Sequence, residues 1–284
     1  MRKRIAFALF ALFAPMLIMG AYIRNKDPWL EIAIQQIEAD YGDTVSVEAK
    51  DKSLLKFGRN TNVGTSAATL MDLDGTEVGE TYVSTNAITH VISTSAADGE
   101  EIKIEGHTIS GTDLTFVVQT ATLNGQTAVA LGTALARCTR LLNNDSTELA
   151  GKVSAYEGGT TTAGDVDTDS EIHCIIPAGQ QQSRKASTSI SSVDYWIVTR
   201  YYLDVLEKSA SFAECTLEAR DVGNGGVFLP KGATISASNS NRGVFEFRPY
   251  LVIPSNSDVR LRAIADGAAT DVSGGIQGIL AIVQ

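Results

Sequence analysis

The clearest alternation of hydrophobic and polar positions lies in the last third of the chain, from Val193 to Val283. In GVFEFRPYLVIP, Phe245, Phe247 and Tyr250 interleave with Glu246 and Arg248; in DVRLRAIA, Val259, Leu261 and Ala263 alternate with Asp258, Arg260 and Arg262. A period of two turns one set of side chains into a core and the other into water, which predicts half-buried β-strands. GGIQGILAIV adds a further strand. Between residues 193 and 203 the pattern changes, because Tyr195, Ile197 and Tyr201 on one face are matched by Trp196, Val198 and Tyr202 on the other. A strand apolar on both faces is central in its sheet or lies at a subunit contact.

Upstream of this region, from Gly132, TALARCTRLL, ELAGKVSAY and EIHCIIPAG read as strands separated by turn residues, and SFAECTLEAR and VFLPKGATIS add two within it. Together they make roughly eight or nine strands, the count of a jelly roll or a related Greek-key sandwich. The expectation is an all-β protein with a jelly-roll-like sandwich over residues 131–284. Shorter strands between Ala67 and Ala130 predict a small β domain over 67–130, with Asn124-Gly125 as a two-residue type I′ hairpin turn between TATL and QTAV. Residues 42–65 read as linker and short strand.

One helix stands out, DPWLEIAIQQIEADY. Asp27 can cap it and Pro28 suits its first turn; Trp29, Ile32, Ala33 and Ile37 fall near one face, with Gln35, Gln36 and Glu38 opposite. That helix and the following linker form a segment 27–66. Ahead of it, residues 1–26 begin MRKR and then run without charge from Ile5 to Ile23. As a helix this run would extend roughly 28 Å, near the hydrocarbon thickness of a bilayer. Three readings stand open: a cleaved secretory signal, a retained membrane anchor, and an apolar arm buried in a protein assembly, where Pro15 would kink it.

Charge sharpens the picture of the folded part. The chain has 23 basic and 33 acidic residues, a net of −10, yet Arg2, Lys3, Arg4, Arg24 and Lys26 all precede Asp27. Removing those five leaves 18 basic against 33 acidic residues, a net of −15. Such a surface repels phosphate backbones and argues against nucleic acid as a partner. Cys138, Cys174 and Cys215 are widely spaced and each falls in an apparent strand, so they read as buried free thiols; Cys215 shares a face with Ala213, Leu217 and Ala219.

Candidate chemistry is sparse. Asp165, Asp167 and Asp169, followed by Glu171, sit at alternate positions like the first half of a calcium loop, but Ser170 replaces the glycine and Ile176 the bidentate glutamate that such a loop needs. A solvated loop is the expected reading, and neither a metal nor any other cofactor is expected. Three scattered histidines, His90, His107 and His173, form no ligand spacing, and no G-x-S-x-G motif occurs. The glycines of DVGNGGVF lead into a strand and read as a turn. Tyr195, Trp196, Tyr201 and Tyr202 are aromatic enough for sugar stacking or a protein interface, although core packing explains them as well.

Several segments, PWLEIA, KFGRNTNV, EIKIEG with TATLNGQTAV, FRPYLVIPSNSDVRLRAIA and SGGIQGILAIV, occur in the order seen in a loose group of uncharacterised virion structural proteins of marine tailed bacteriophages, which the chain resembles over about residues 28–284. The resemblance implies a β-rich surface component of a virus particle, such as a capsid decoration, fibre or neck protein. It implies a non-enzymatic role in a symmetric oligomer, held by contacts to major capsid or neck proteins. The apolar leader departs from the group and points to membrane contact, as in a spike anchored in an internal membrane. Phe7, Phe10, Phe13, Trp29 and Ile32 are the residues expected to make the assembly contacts. Two rivals belong to other classes: a secreted or surface-anchored carbohydrate-binding module that would take a host-surface glycan on the four aromatics, and a polysaccharide-degrading enzyme, which would need a carboxylate pair across a cleft.

Overall fold

A computed structural model describes residues 27–42, 45–46, 53–71, 80–206, 212–223, 226–238, 242–267 and 270–283. The leader with Phe7, Phe10 and Phe13 lies outside the described residues, as does most of the acidic MDLDGTE stretch. The chain enters through helix α1 (Pro28–Tyr41). Asp27 caps it by accepting from the backbone N–H groups of Trp29 (3.1 Å) and Leu30 (3.3 Å), and Gly42 ends it in the left-handed region with φ 69°.

Three strands follow, β1 (Val45–Ser46), β2 (Ser53–Val63) and β3 (Ala68–Thr69). The middle of the chain supplies β4 (Ile88–Ser93), β5 (Glu101–Ser110), β6 (Asp113–Thr122), β7 (Val129–Leu135), β8 (Arg137–Asn143), β9 (Val153–Tyr156), the short β10 (Thr161–Thr162) and β11 (Asp165–Val166), and β12 (Ile172–Ile176). The last part runs through β13 (Ser187–Ser189), β14 (Asp194–Val205), β15 (Phe212–Asp221), β16 (Leu229–Pro230), β17 (Ile235–Ser238), β18 (Gly243–Ile253), β19 (Ser257–Ala265) and β20 (Thr270–Val283). Every pairing between them is antiparallel.

Two packed bodies result. The first is a β-sandwich. One of its sheets runs β18–β14–β20 with β1 and β2 on the far side of β20; the other runs β15–β19, flanked by β16 and β17 on one side and by β13 and β3 on the other. Trp196, Val198, Tyr201 and Leu203 of β14 fill the space between them with Phe247, Ile253, Val272 and Ile276. Facing them, β15 and β19 present mainly small side chains, Ala213, Cys215, Ala219, Ala263 and Ala265. Large rings from one sheet therefore fit against a thin opposite layer, as close packing requires. Gly278 serves the same fit, since a Cβ there would stand 2.5 Å from Trp196 Nε1.

The second body is inserted between β3 and β13. Its sheets, β12–β9–β4–β7 and β6–β5–β8, enclose an aliphatic core of Ile88, Val91, Ile102, Ile104, Leu135, Leu141, Val153 and Ile176. The boundary expected at residue 130 runs through the middle of it, because β4 pairs with β9 and β5 with β8. Residues 53–65, read from sequence as linker and short strand, and 67–71, read as the start of the small β domain, belong to the sandwich, with β2 alongside β20 and β3 alongside β19. Chain order misleads here because the sandwich closes through pairings between segments far apart in sequence.

Local expectations shift as well. Gly125 alone of the central pair in the turn after β6 has positive φ (56°), and Thr127 N–H donates to Asn124 O. The turn is centred on Gly125-Gln126, one residue later than expected, and it does not join a hairpin: β6 pairs with β5 while β7 pairs with β4. The two strands still meet, through the Gln119 side chain, which donates to Thr133 O (2.8 Å) and accepts from Thr133 N–H (2.9 Å). Along β18 odd positions face inward, so Phe245 and Phe247 pack around Tyr201 while Tyr250 points to the outer face. The register shift lies in β14 between Val198 and Arg200 and brings Tyr201 to the same inner face as Trp196.

Candidate functional site

Helix α1 lies on the outer face of the sheet formed by β18, β14 and β20. Ala33 and Ile37, with Leu30 and Ile34 beside them, pack on Tyr195, Ile197, Ala281, Tyr250, Val252 and Ile279. The stripe is Leu30–Ala33–Ile34–Ile37, and Ile32, expected on it, is 42% exposed. Trp29 is half-buried. Asp27 does double duty: its other carboxylate oxygen accepts from the Tyr250 hydroxyl (2.8 Å), which ties the start of the helix to β18. Residues 27–41 are therefore part of the folded body, and their removal would uncover an apolar sheet face.

The four aromatics of the 193–203 segment do not gather into a platform. Tyr195 is buried under α1, and Trp196 and Tyr201 are buried on the opposite, inner face. Tyr202 is half-buried and carries the Arg242 guanidinium over its ring at 4.1 Å. Alternate residues of a strand point to opposite sides, which separates the set.

A buried polar seam joins the two bodies. Asp258 of β19, predicted to face water, is fully buried. Its Oδ1 accepts from Arg137 Nε (2.9 Å) and Ser189 Oγ (2.6 Å), and its Oδ2 from Arg137 Nη2 (3.1 Å) and Arg220 Nε (3.0 Å) and Nη2 (2.8 Å). Burial alone would raise the Asp258 pKa; the bonds and charge of Arg137, with Ser189 and Arg220, outweigh it and hold the carboxyl below its ordinary value. Arg137 belongs to the inserted body and also donates to the carbonyls of Ala136 and Val83. Tyr82 lies against Arg220 at 4.6 Å, and Phe228 against Arg260 at 3.7 Å. A carboxylate saturated with donors and faced by two guanidiniums is equipped to hold two bodies together.

A second part of the seam centres on Lys185, which donates to Glu80 Oε1 (2.8 Å), Cys138 O (2.9 Å) and His173 O (3.0 Å). Cys138 and Cys174 are buried free thiols on β8 and β12. Their hydrogen bond pushes Cys138 up and draws Cys174 down to about 6, with Lys185 and Lys56 adding to the lowering. Cys215 is a buried free thiol in the sandwich core.

The remaining sequence candidates stay apart. Asp165 forms an ion pair with Lys152 (2.9 Å), and Asp169 opens a short 3-10 turn. Among the described residues no group of three or more His, Cys, Asp and Glu side chains converges to hold a metal ion. His173 bonds Glu157 (2.9 Å) and His90 bonds Thr89 (2.8 Å). His107 is held neutral, its pKa lowered to about 3 first by burial and then by Lys56 and Arg137. Among the described residues, no helix is long and apolar enough to cross a membrane.

Sequence reasoning missed the whole seam. Its polar members, Lys56, Arg137 and Asp258 in strands and Lys185 just before β13, are not marked as buried by anything in their neighbourhood along the chain. The one legible signal was the run Lys56–Gly58–Asn60, a strand face of polar and glycine residues that makes sense only against another backbone. A Cβ at Gly58 would collide with the main chain of Leu70 and Ala186.

The fold thus defines an all-β protein whose sandwich carries a helix on one outer face and a second β body on its side. No protein-family model and no curated protein matches the sequence. Among solved structures, a chain of the T13 particle of IBDV is 9% identical, with a TM-score of 0.24 over 90% of this chain and 78% of that one. The VP2 subviral particle of infectious bursal disease virus gives 12% identity and a TM-score of 0.20 over 88% and 77%. The PBSX exported protein XepA gives 10% and 0.18 over 82% and 86%. Superpositions this loose transfer no site and no activity to this chain.

Proposed function

We propose that the protein is a non-enzymatic virion structural protein, a surface decoration, fibre or neck component joined to neighbouring virion proteins through its N-terminal segment. The observation that carries this reading is the way the chain enters the fold. Asp27 is pinned at the sandwich surface, and α1 buries only one stripe while leaving Ile32 exposed and Trp29 half-exposed beside the attachment point of the apolar leader. Phe7, Phe10 and Phe13 would then extend that apolar contact onto a capsid or neck protein, a sister copy or a membrane. The resemblance to phage virion proteins supports the setting at a particle surface. The buried carboxylates of the seam support a passive role, since Asp258 and Glu80 are consumed in ion pairs.

The rival reading, a secreted or membrane-anchored carbohydrate-binding module, needs an exposed aromatic platform, and burial of Tyr195, Trp196 and Tyr201 removes its main support. The test is a chain that begins at Asp27, compared with the full chain by circular dichroism and by co-sedimentation with assembled particles. The shortened chain is expected to keep its fold and lose incorporation. Equal incorporation of both chains would refute the arm; a full chain that stays monomeric and never enters a particle would refute the structural role.

A further inference from the structure

On the side of β2, where the two bodies meet, a cavity of about 320 Å³ opens. Its wall combines Lys56 of β2, Glu105 of β5, Thr139 and Arg140 of β8, and Gln182 and Ser183 from the segment before β13. Lys185 also reaches it, but the charge of Lys185 is met by Glu80. Glu105 is taken by Lys103 at 2.8 Å. Arg140 gives one N–H to Gln182 Oε1 (2.6 Å) and sits half-buried at the rim.

Lys56 is left over. It is only 8% exposed, and its ammonium, with three N–H donors, has a single acceptor among the described residues, the Thr139 carbonyl at 3.3 Å. No carboxylate of the described residues stands within ion-pair distance of it. A buried ammonium in this state is costly and normally finds an anion. Burial lowers its pKa to about 8 even though Glu105 and Cys174 favour the charged form, with Arg140 and Lys185 pushing further down. The cavity therefore holds two cationic groups, Lys56 and Arg140, without a carboxylate of their own, inside a protein whose net charge is −10. At about 30 Å³ per water, the space admits a polyatomic anion together with several waters.

We propose that this cavity binds a small oxyanion, a phosphate or carboxylate group, with Lys56 Nζ as its anchor and Arg140 and the Gln182 amide at its rim. The planar guanidinium suits two oxygens of one anion, and the ammonium at the floor gains the counter-charge that the protein itself withholds. The proposal stands independently of the virion reading, because it depends only on the charges around one cavity.

Isothermal titration calorimetry of the full chain at pH 7 with inorganic phosphate, and separately with succinate, tests it. One-to-one binding of at least one anion is expected. Lys56→Met, which replaces a buried charge by an apolar stem of similar length, is expected to keep the circular dichroism spectrum and to weaken binding by about tenfold or more. Arg140→Gln at the more exposed rim is expected to weaken it less. Binding of phosphate alone assigns the site to phosphoryl groups, succinate alone to carboxylates, and both to the oxyanion they share. No heat from either anion at about 10 mM overturns the proposal, as does unchanged affinity in Lys56→Met. A measurement free of variants serves alongside: acylation of Lys56 by an activated acetate ester, read by peptide mass spectrometry, should slow when the binding anion is present. An unchanged rate would place any bound anion elsewhere and refute the site.

Discussion

Two contacts hold this molecule together beyond its sheets, and they are built on opposite principles. Helix α1 sits on the sandwich through Ala33, Ile37, Tyr195 and Ile197, an apolar contact pinned by the bond from Tyr250 to Asp27. The inserted body sits on the sandwich through Arg137, Asp258 and Arg220, a contact of buried charges. An apolar contact is tolerant: each lost methylene costs a little, and the rest of the stripe remains. A charged one is close to all-or-none, because removing one partner strands the other out of water. The helix can therefore be weakened by degrees, while the junction fixes one arrangement of the two bodies and rejects others.

The sharpest way to break this comparison is Arg137→Met. It leaves Asp258 buried with Arg220 and Ser189 alone, and a loss of about 3–5 kcal/mol is expected in chemical denaturation. A loss under about 2 kcal/mol, the low end for truncating a buried isoleucine, would show the junction to be no more demanding than the helix contact. Next comes Ile37→Ala, expected to cost about 2–4 kcal/mol. That loss should appear as faster amide exchange in α1 and not in β15 or β19; uniform loss of protection would show that helix and sandwich unfold together.

A smaller effect separates the two contacts by pH. His107 lies on β5 across from Arg137, and its folded pKa of about 3 is below its unfolded value near 6.5. The unfolded chain binds the proton that the folded chain refuses, so this group's stability contribution is present above pH 6.5 and lost as the pH falls toward 3. At pH 5 the loss is roughly 2 kcal/mol, and His107→Gln should flatten the slope across that window. A slope unchanged in the variant would move its origin to His173, whose pKa is also lowered, first by burial. Asp258 adds its own loss at lower pH: its folded pKa is depressed, so its contribution is full above the ordinary carboxylate value and disappears as the pH falls through the folded one. The smallest expected effect is Asp27→Ala, about 1–2 kcal/mol for the cap and the Tyr250 bond together, read from the thermal midpoint. Tyr250→Phe should reproduce only part of it.

The helix contact was largely legible from sequence, because a cap, a proline and an apolar stripe all lie within fifteen residues of each other. Only the rotation of the stripe differed, with Leu30 and Ile34 taking the place of Trp29 and Ile32. The strands of the last third were legible for the same reason, since alternation in Val259, Leu261 and Ala263 needs no knowledge of the partner. Asp258 sits in that same alternating run yet is buried, and nothing local distinguishes it from Arg260 or Arg262. Its burial depends on Arg137, which lies 121 residues away.

By itself, the sequence determined the class of this protein, the strands of its last third, the capped helix Pro28–Tyr41 and the apolar core of its sandwich, because periodicity and capping act over a few residues. Only the tertiary structure decided that one β body is inserted into another, that Trp196 and Tyr201 are core and not platform, and that Lys56, Arg137 and Asp258 share an interior. Those outcomes depend on which distant strands become neighbours. A charged side chain has no fixed preference for the inside until its partner's position is known.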